Sequence, residues 1–308
     1  MEKDFMLLDP YENELFVQMW IPENKPKAVV QIIHGAGEHI GRYDHFAKYL
    51  VSLDYVVIGN DHLGHGKTAT EKEYVYFGSN MGFHKVYEGV RTVRDYIEEH
   101  YSGLPVIMFA HSMGSFIGRY AILYDHKRYI QAIFSGTGWF NSFSISAAKI
   151  MSKILIKVKG PLSLSSTFTR LTTDGAVRSM QKAGLINKRI EWLTHDRDIQ
   201  RAFEEDEMCG KPFTLSAQSD VFHFMPEIQN RKRIRESASS TAIFFISGEL
   251  DGLGNYGAAA KKLYNIYNTC GYSNVKYVVI NNARHEVINE LDRDSTYVMI
   301  SDFIKRNL

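Results

Sequence analysis

Three residues far apart in the 308-residue chain could together activate a hydroxyl: Ser112, Asp251 and His285. A serine hydroxyl is a weak nucleophile until a base accepts its proton. Histidine can serve as that base, and a carboxylate can fix its tautomer and stabilise its charged form. Ser112 lies in "FAHSMGS" (109–115), after the apolar run "VIMFA" (106–110) and before "SFIGRYAILY" (115–124), which reads as a helix. Strand, sharp turn and helix are the setting of a nucleophile elbow. Such a strained turn needs small residues two positions to either side of the serine. Ala110 and Gly114 stand there, with alanine where glycine is usual. Without the rest of the chain, the same stretch reads as a plain glycine turn capped by Ser112 or Ser115.

His285 follows the last strand-like run, in "VKYVVINNARHEVINE", and that position singles it out from an ordinary solvated loop histidine. Asp251 lies in "TAIFFISGELDGLGN", three residues after Gly248 and just past another strand end. Glu249 is its rival, nearer the strand and less free to reach, and Asp220 is a distant third. The chain order Ser112, Asp251, His285 is the order used by the α/β-hydrolase fold. An oxyanion also needs donors. In "HGAGEH" (34–39), Gly35 and Gly37 let the backbone turn so that the Ala36 N–H faces a pocket. The Met113 N–H, next to Ser112, is the second candidate, and each such donor is worth about 3 kcal/mol at a transition state.

These residues must be held by strands and helices. "AVVQIIH" (28–34), "YVVIGN" (55–60), "VIMFA", "YIQAIF" (129–134), "TAIFFIS" (241–247) and "VKYVVI" (275–280) are continuous apolar runs. Such runs suit strands covered on both faces of a parallel sheet. Phe83, Val86, Tyr87, Val90, Val93 and Ile97 recur at three and four, the period of a helix stripe. Residues 256–268 and 295–306 also read as helices, and 5–20 as an antiparallel hairpin feeding the sheet. The alternation predicts a doubly wound α/β sheet. It breaks between 141 and 226, where helical periods near 145–158 and 174–204 replace the strand runs. The expected organisation is a core of residues 1–140 and 227–308, with a helical cap of 141–226 covering the strand ends where ligands bind in such sheets.

Composition narrows the class. At 44% hydrophobic residues a packed core is expected, and a net charge of +1 gives no reason to expect a nucleic-acid partner. Cys209 and Cys270 are too few for a disulfide framework. "MEKDFMLLDPYENE" has no apolar core of a signal peptide, and the longest uncharged stretch, 129–148, is too polar to span a membrane. A soluble, cytoplasmic protein is expected, peripheral to a membrane if the cap touches one.

"HGAGEH", "DHLGHGKT", "AHSMGS", "SGELDG" and "ARHEV" together resemble the monoacylglycerol lipase and lysophospholipase group of α/β hydrolases, over roughly residues 15–140 and 235–300. The resemblance implies a serine hydrolase of acyl esters that uses neither metal nor organic cofactor, with a cap shaping an acyl-chain pocket. It assigns Ser112, Asp251 and His285 to the triad, and Ala36 and Met113 to the oxyanion hole. His111 is expected to pack under the sheet. Asp61, His62, His65, Glu38 and His39 are expected to anchor loops.

The cap, which the resemblance leaves undefined, decides the substrate. Its apolar residues favour a lipid ester such as a monoacylglycerol or lysophospholipid. Phe213, Phe222, Phe224 and Met225 are among these apolar residues, and Ile150, Ile154, Phe213 and Phe222 are expected to line the acyl site. In "AAKIMSKILIKVKG" (147–160), Lys149, Lys153 and Lys157 share one helix face beside an apolar stripe of Ile150, Ile154 and Val158. That pattern fits a helix lying on an anionic membrane, or a cap helix with solvated lysines. "RKRIR" (231–235) reads as solvated surface. Two rival readings stay open. An aminopeptidase, thioesterase or acyltransferase could use the same triad, with Glu204, Glu205 or Asp206 holding a substrate amine. A hydrolase-like receptor would bind its ligand without cleaving it.

Overall fold

A computed structural model describes residues 1–71, 73–172 and 174–308, with the backbone alone at 170–172. Among the described residues the apolar runs form eight strands of one sheet. β1 (Glu2–Leu8) and β2 (Glu14–Trp20) pair as an antiparallel hairpin. β3 (Ala28–Ile33), β4 (Tyr55–Asn60), β5 (Val106–His111), β6 (Gln131–Ser135), β7 (Ala242–Gly248) and β8 (Val275–Ile280) run parallel to one another. The spatial order is β1-β2-β4-β3-β5-β6-β7-β8, with β2 antiparallel to β4. Every residue of β3 to β7 is buried, as continuous Val, Ile and Phe runs require. β8 is less buried, because it is the edge of the sheet and has a partner on one side alone.

The crossover helices cover the two faces. α1 (Asp44–Val51), α2 (Gly82–His100) and α3 (Met113–Asp125) follow β3, β4 and β5. Five helices then succeed one another after β6: α4 (Ser142–Lys159), α5 (Ser166–Thr172), α6 (Asp174–Lys182), α7 (Arg197–Glu205) and α8 (Leu215–Ile228). α9 (Arg231–Glu236) leads back to β7, α10 (Ala258–Thr269) follows β7, and α11 (Arg293–Arg306) follows β8. Alternating strand side chains build two apolar layers. Val29, Val56, Met108 and Phe245 pack with Val90 of α2 and Leu263 of α10. Val30, Val57, Ile107 and Phe109 pack with Phe46 of α1 and Phe303 of α11. Each such fully buried side chain contributes about 1.5–3 kcal/mol relative to exposure.

The inserted helices depart from the sequence reading in two places. The helical period expected across 174–204 is interrupted between α6 and α7 by a turn at Gly184, with φ +69, and a 3-10 turn at Arg189–Trp192. The boundary expected at 226 falls inside α8, which runs on to Ile228 through Pro226. α4 begins where the Asn141 side chain accepts the Ser144 N–H and ends at Gly160, with φ +89. No helix among the described residues is long and apolar enough to cross a membrane.

Candidate active site

Ser112 is the joint between β5 and α3. Its backbone has φ 52° and ψ −121°, a region that non-glycine residues occupy at a cost of about 1–3 kcal/mol. The turn is fastened on both sides. The Ser112 N–H donates to the Ser135 carbonyl at 2.9 Å, and the Ser115 N–H donates to the Ser112 carbonyl at 2.9 Å. A Cβ at Gly114 would lie 2.1 Å from the Ile33 carbonyl oxygen, so glycine is required there. Alanine is accommodated at 110 because glycine stands opposite it. A Cβ at Gly118 would come within 2.9 Å of the Ala110 Cβ.

The three candidate catalytic side chains meet at this joint. His285 Nε2 is 2.9 Å from Ser112 Oγ, and His285 Nδ1 is 3.1 Å from Asp251 Oδ1. The second contact is close enough for charge pairing but off the line of an ideal N–H···O bond, and such bonds commonly tighten once substrate is bound. Asp251 Oδ1 also accepts the Leu253 N–H at 2.9 Å, which sets the carboxylate in its loop. All three side chains are buried. Burial acts to lower the His285 pKa, but the facing Asp251 outweighs it, with help from Glu286 and Glu38, and the imidazole is raised above its ordinary value. Burial likewise acts to raise Asp251, and the charge of His285 and backbone donors hold it below the usual carboxylate range. The rival acids lie elsewhere. Glu249 is exposed and accepts the Asn282 N–H, while Asp220 sits beside Gly82 and Phe83 at the start of α2, pushed up to about 6 by burial.

The loop after β3 closes over the elbow. A Cβ at Gly35 would lie 3.1 Å from Ser112 Cβ, so residue 36 is delivered next to the serine. Among the described residues neither the Ala36 N–H nor the Met113 N–H has a backbone or side-chain acceptor. Both are donors of the kind an oxyanion needs. Glu38 holds this loop by accepting the Gly35 N–H and the Tyr43 hydroxyl. Asp61 accepts the Ile40 and Lys67 N–H groups. His62 donates its backbone N–H to His34 Nε2, and His65 stacks on Phe77. Burial drives His62 down to about 3 and His65 to about 4, so both are neutral packing groups. His111 is likewise buried, 3.3 Å from Ser135 Oγ through Nδ1, and held near 4 by burial and by the charge of His285.

Three partners of the site escaped the sequence reading. Gly136, with φ +59, turns the chain under the imidazole, where a Cβ would lie 2.8 Å from His285 Cε1. Its signal was "SGTG" (135–138), which begins at the last residue of β6. Trp192 stacks on His285 with centroids 4.4 Å apart and planes at 21°. Arg42 is clamped between Glu38 and a bidentate Glu286, both contacts to Glu286 being 2.7 Å, and so ties the loop after β3 to the residue following His285. No local pattern announces either of these two contacts. The Arg42–Glu286 pair spans 244 residues.

The expected acyl-site residues fare differently. Ile150 and Ile154 are 61% and 58% exposed, so α4 turns them largely outward, and Ile150 borders an open surface groove with Ile145, Pro226 and Gln229. Phe222 meets Phe168 edge-to-face, and Phe213 packs against Phe77 and His65. Of the carboxylates considered for an amine, Glu204 and Glu205 are exposed, and Asp206 pairs with His39 at 2.8 Å.

The sheet, the elbow and the loops after β7 and β8 define the molecule as an α/β hydrolase with a serine at the elbow. A profile described as serine aminopeptidase, S33, matches residues 24–292, and the chain belongs to that family as a monoacylglycerol lipase-like member. It is 30% identical over 227 residues to a monoglyceride lipase homolog of monkeypox virus, covering 73% of this chain and 75% of that protein. It is 34% identical over 170 residues to the monoglyceride lipase of Homo sapiens, covering 52% of this chain and 53% of that protein. The chain thus spans about half the length of the human and mouse monoglyceride lipases it matches. Among solved structures, a thermostable carboxyl esterase of Bacillus coagulans in complex with glycerol superposes with a TM-score of 0.90 at 26% identity, covering 99% of this chain and 98% of that one. A monoglyceride lipase of Saccharomyces cerevisiae shares the fold, with a TM-score of 0.74 at 16% identity, covering 100% and 94%.

Proposed function

We propose that the protein hydrolyses carboxylic esters of lipids, monoacylglycerols or lysophospholipids, through an acyl-enzyme on Ser112. The observation that carries this reading is the 2.9 Å contact between Ser112 Oγ and a buried His285 that Asp251 holds in place. Ser112 Oγ attacks the ester carbonyl carbon while His285 Nε2 takes its proton. The tetrahedral oxyanion accepts hydrogen bonds from the Ala36 and Met113 N–H groups. Collapse expels the alcohol, which takes the proton back from His285. Water then attacks the acyl-serine, again giving its proton to His285; collapse breaks the bond to Ser112 Oγ, which takes that proton back, and the fatty acid leaves. Asp251 stays ionised throughout and stabilises the imidazolium.

Residues 141–226 serve in this reading as a cap over the acyl chain. The outer face of α4 supports contact with a lipid surface. Phe143 and Val158 are 83% and 75% exposed, in line with Ile150 and Ile154, and Lys149, Lys153 and Lys157 border that stripe. A helix so built lies with its apolar side in the headgroup boundary of an anionic membrane. We place the protein in the cytoplasm, touching membranes through this helix.

The test is a substrate panel run on wild type: a long-chain monoacylglycerol, a lysophosphatidylcholine and an aminoacyl amide. Release of fatty acid from either lipid, with the amide uncleaved, is the expected result. Cleavage of the amide alone would replace this reading with a peptidase. Sedimentation with anionic vesicles at low salt tests the membrane contact, which fails if the protein stays in the supernatant.

A further inference from the structure

Beside the loop after β3, three side chains of metal-binding type converge from two separate parts of the fold. His39 belongs to that loop, whereas Asp206 and Cys209 belong to the segment joining α7 to α8. One ligand atom of each lies within 4.8 Å of the other two. His39 Nε2 is 2.8 Å from Asp206 Oδ2. A tight turn fixes the other two donors. The Cys209 N–H donates to the Asp206 carbonyl at 2.9 Å, and the Met208 N–H donates to Asp206 Oδ1 at 2.8 Å, which leaves Oδ2 for a further partner. Cys209 is buried, while the His39 and Asp206 side chains keep 12% and 28% exposure, so the cluster is reached from solvent.

The charges around the cluster suit a cation. Arg42 also faces Cys209, but it is engaged by two carboxylates, Glu38 and Glu286, and Asp206 adds a third. One imidazole, one carboxylate and one thiol are a donor set for a borderline-soft divalent ion with a fourth position left to water. We propose that His39, Asp206 and Cys209 bind zinc and so clasp the inserted helices to the loop that carries Ala36. Binding replaces the Cys209 thiol proton, which goes to solvent, with the metal–sulfur bond. The His39–Asp206 hydrogen bond is given up: the proton on Nε2, which faces Asp206 Oδ2, is lost to solvent and the imidazole takes the tautomer protonated on Nδ1, so that the Nε2 lone pair ligates. Gly210, next to Cys209, already donates its N–H to the Gly37 carbonyl at 2.8 Å, so the two segments are in register before metal arrives. The inference does not depend on which ester, if any, the protein cleaves.

Cobalt(II) tests it, because a thiolate ligand gives a charge-transfer band in the near ultraviolet. The reduced full-length protein is titrated with cobalt, then with zinc. The band should saturate at one equivalent and be displaced by zinc. It should vanish in Cys209→Ser, persist in Cys270→Ser and need more cobalt in His39→Asn. Zinc should raise the melting temperature of wild type and leave Cys209→Ser unchanged, since a ligand of the native state stabilises it. Absence of the band in folded wild type, or its persistence in Cys209→Ser, would overturn the proposal. Should Cys209→Ser not fold, an unchanged cobalt affinity in His39→Asn would overturn it equally.

Discussion

Around Ser112 the glycines are hemmed in. A Cβ at Gly35, Gly114, Gly136 or Gly248 would fall within 2.8 Å of a neighbouring atom. In the inserted helices a Cβ at Gly175 or Gly184 would meet nothing within 4 Å. The side chains of the two regions differ as well. The core loops lock theirs into pairs such as Arg42 with Glu38 and Glu286, whereas α4 leaves a row of large apolar side chains in solvent. In the proposed function the difference separates two tasks. Catalytic atoms must be held to a fraction of an ångström, which takes close packing on every side. A surface that receives varied acyl chains or a membrane needs apolar area more than fixed position.

The largest effects are expected where packing is closest to the chemistry. Ser112→Ala should lower kcat for ester hydrolysis by on the order of 10⁵–10⁶-fold, measured by fatty-acid release. Ser112→Gly should be equally inactive yet melt at a higher temperature than wild type, because glycine accepts φ 52° and ψ −121° without strain. Retained or lowered thermal stability in Ser112→Gly would count against strain at the elbow.

Asp251→Asn should lower kcat by about 10⁴-fold, and it should also move the pH profile. In the proposed mechanism His285 acts as a base when neutral. With its pKa raised above 6.5, mainly by Asp251 working against burial, activity should fall as pH drops through a value above 6.5. Removing the carboxylate charge should shift that acid limb to lower pH. A limb at the same pH in both proteins would mean that another group controls it.

Gly114→Ala and Gly175→Ala set the two regions against each other. The first should cost about 3 kcal/mol or more, since its methyl group meets backbone carbonyls. The second should be neutral or stabilising by about 0.5 kcal/mol, since alanine favours the helix and the space is open. Urea denaturation of both variants checks the contrast. The smallest change expected is in the double variant Ile150→Ser, Ile154→Ser. Its stability should stay within about 0.5 kcal/mol of wild type and its turnover of a short soluble ester should be unchanged, while its recovery with anionic vesicles should drop.

The same divide explains what could be read from the chain. The elbow was legible because its demands are local: a strand run, small residues at 110 and 114, then a helix. The placement of Asp251 and His285 beside Ser112 was legible because loops after β7 and β8 lie at the strand ends in any sheet of this order. Trp192 on His285 and Arg42 on Glu286 were not, since nothing near either residue records a partner far along the chain. α4 was legible as a helix, and its facing was not. Met151 and Leu155 pack inward, whereas Ile150 and Ile154, one position away, point to solvent. A period of 3.6 identifies the stripes but does not say which one a neighbouring helix will cover.

The most direct test of the account is labelling with a short-chain fluorophosphonate, followed by mass spectrometry of the peptides, on wild type and on Ser112→Ala. The phosphoryl oxygen of the reagent occupies the place of the oxyanion, so reaction requires the nucleophile, its base and the N–H donors together. The account predicts one adduct, on Ser112 of wild type, and none on folded Ser112→Ala. Folded wild type that remains unlabelled, or an adduct that persists in Ser112→Ala, would contradict it.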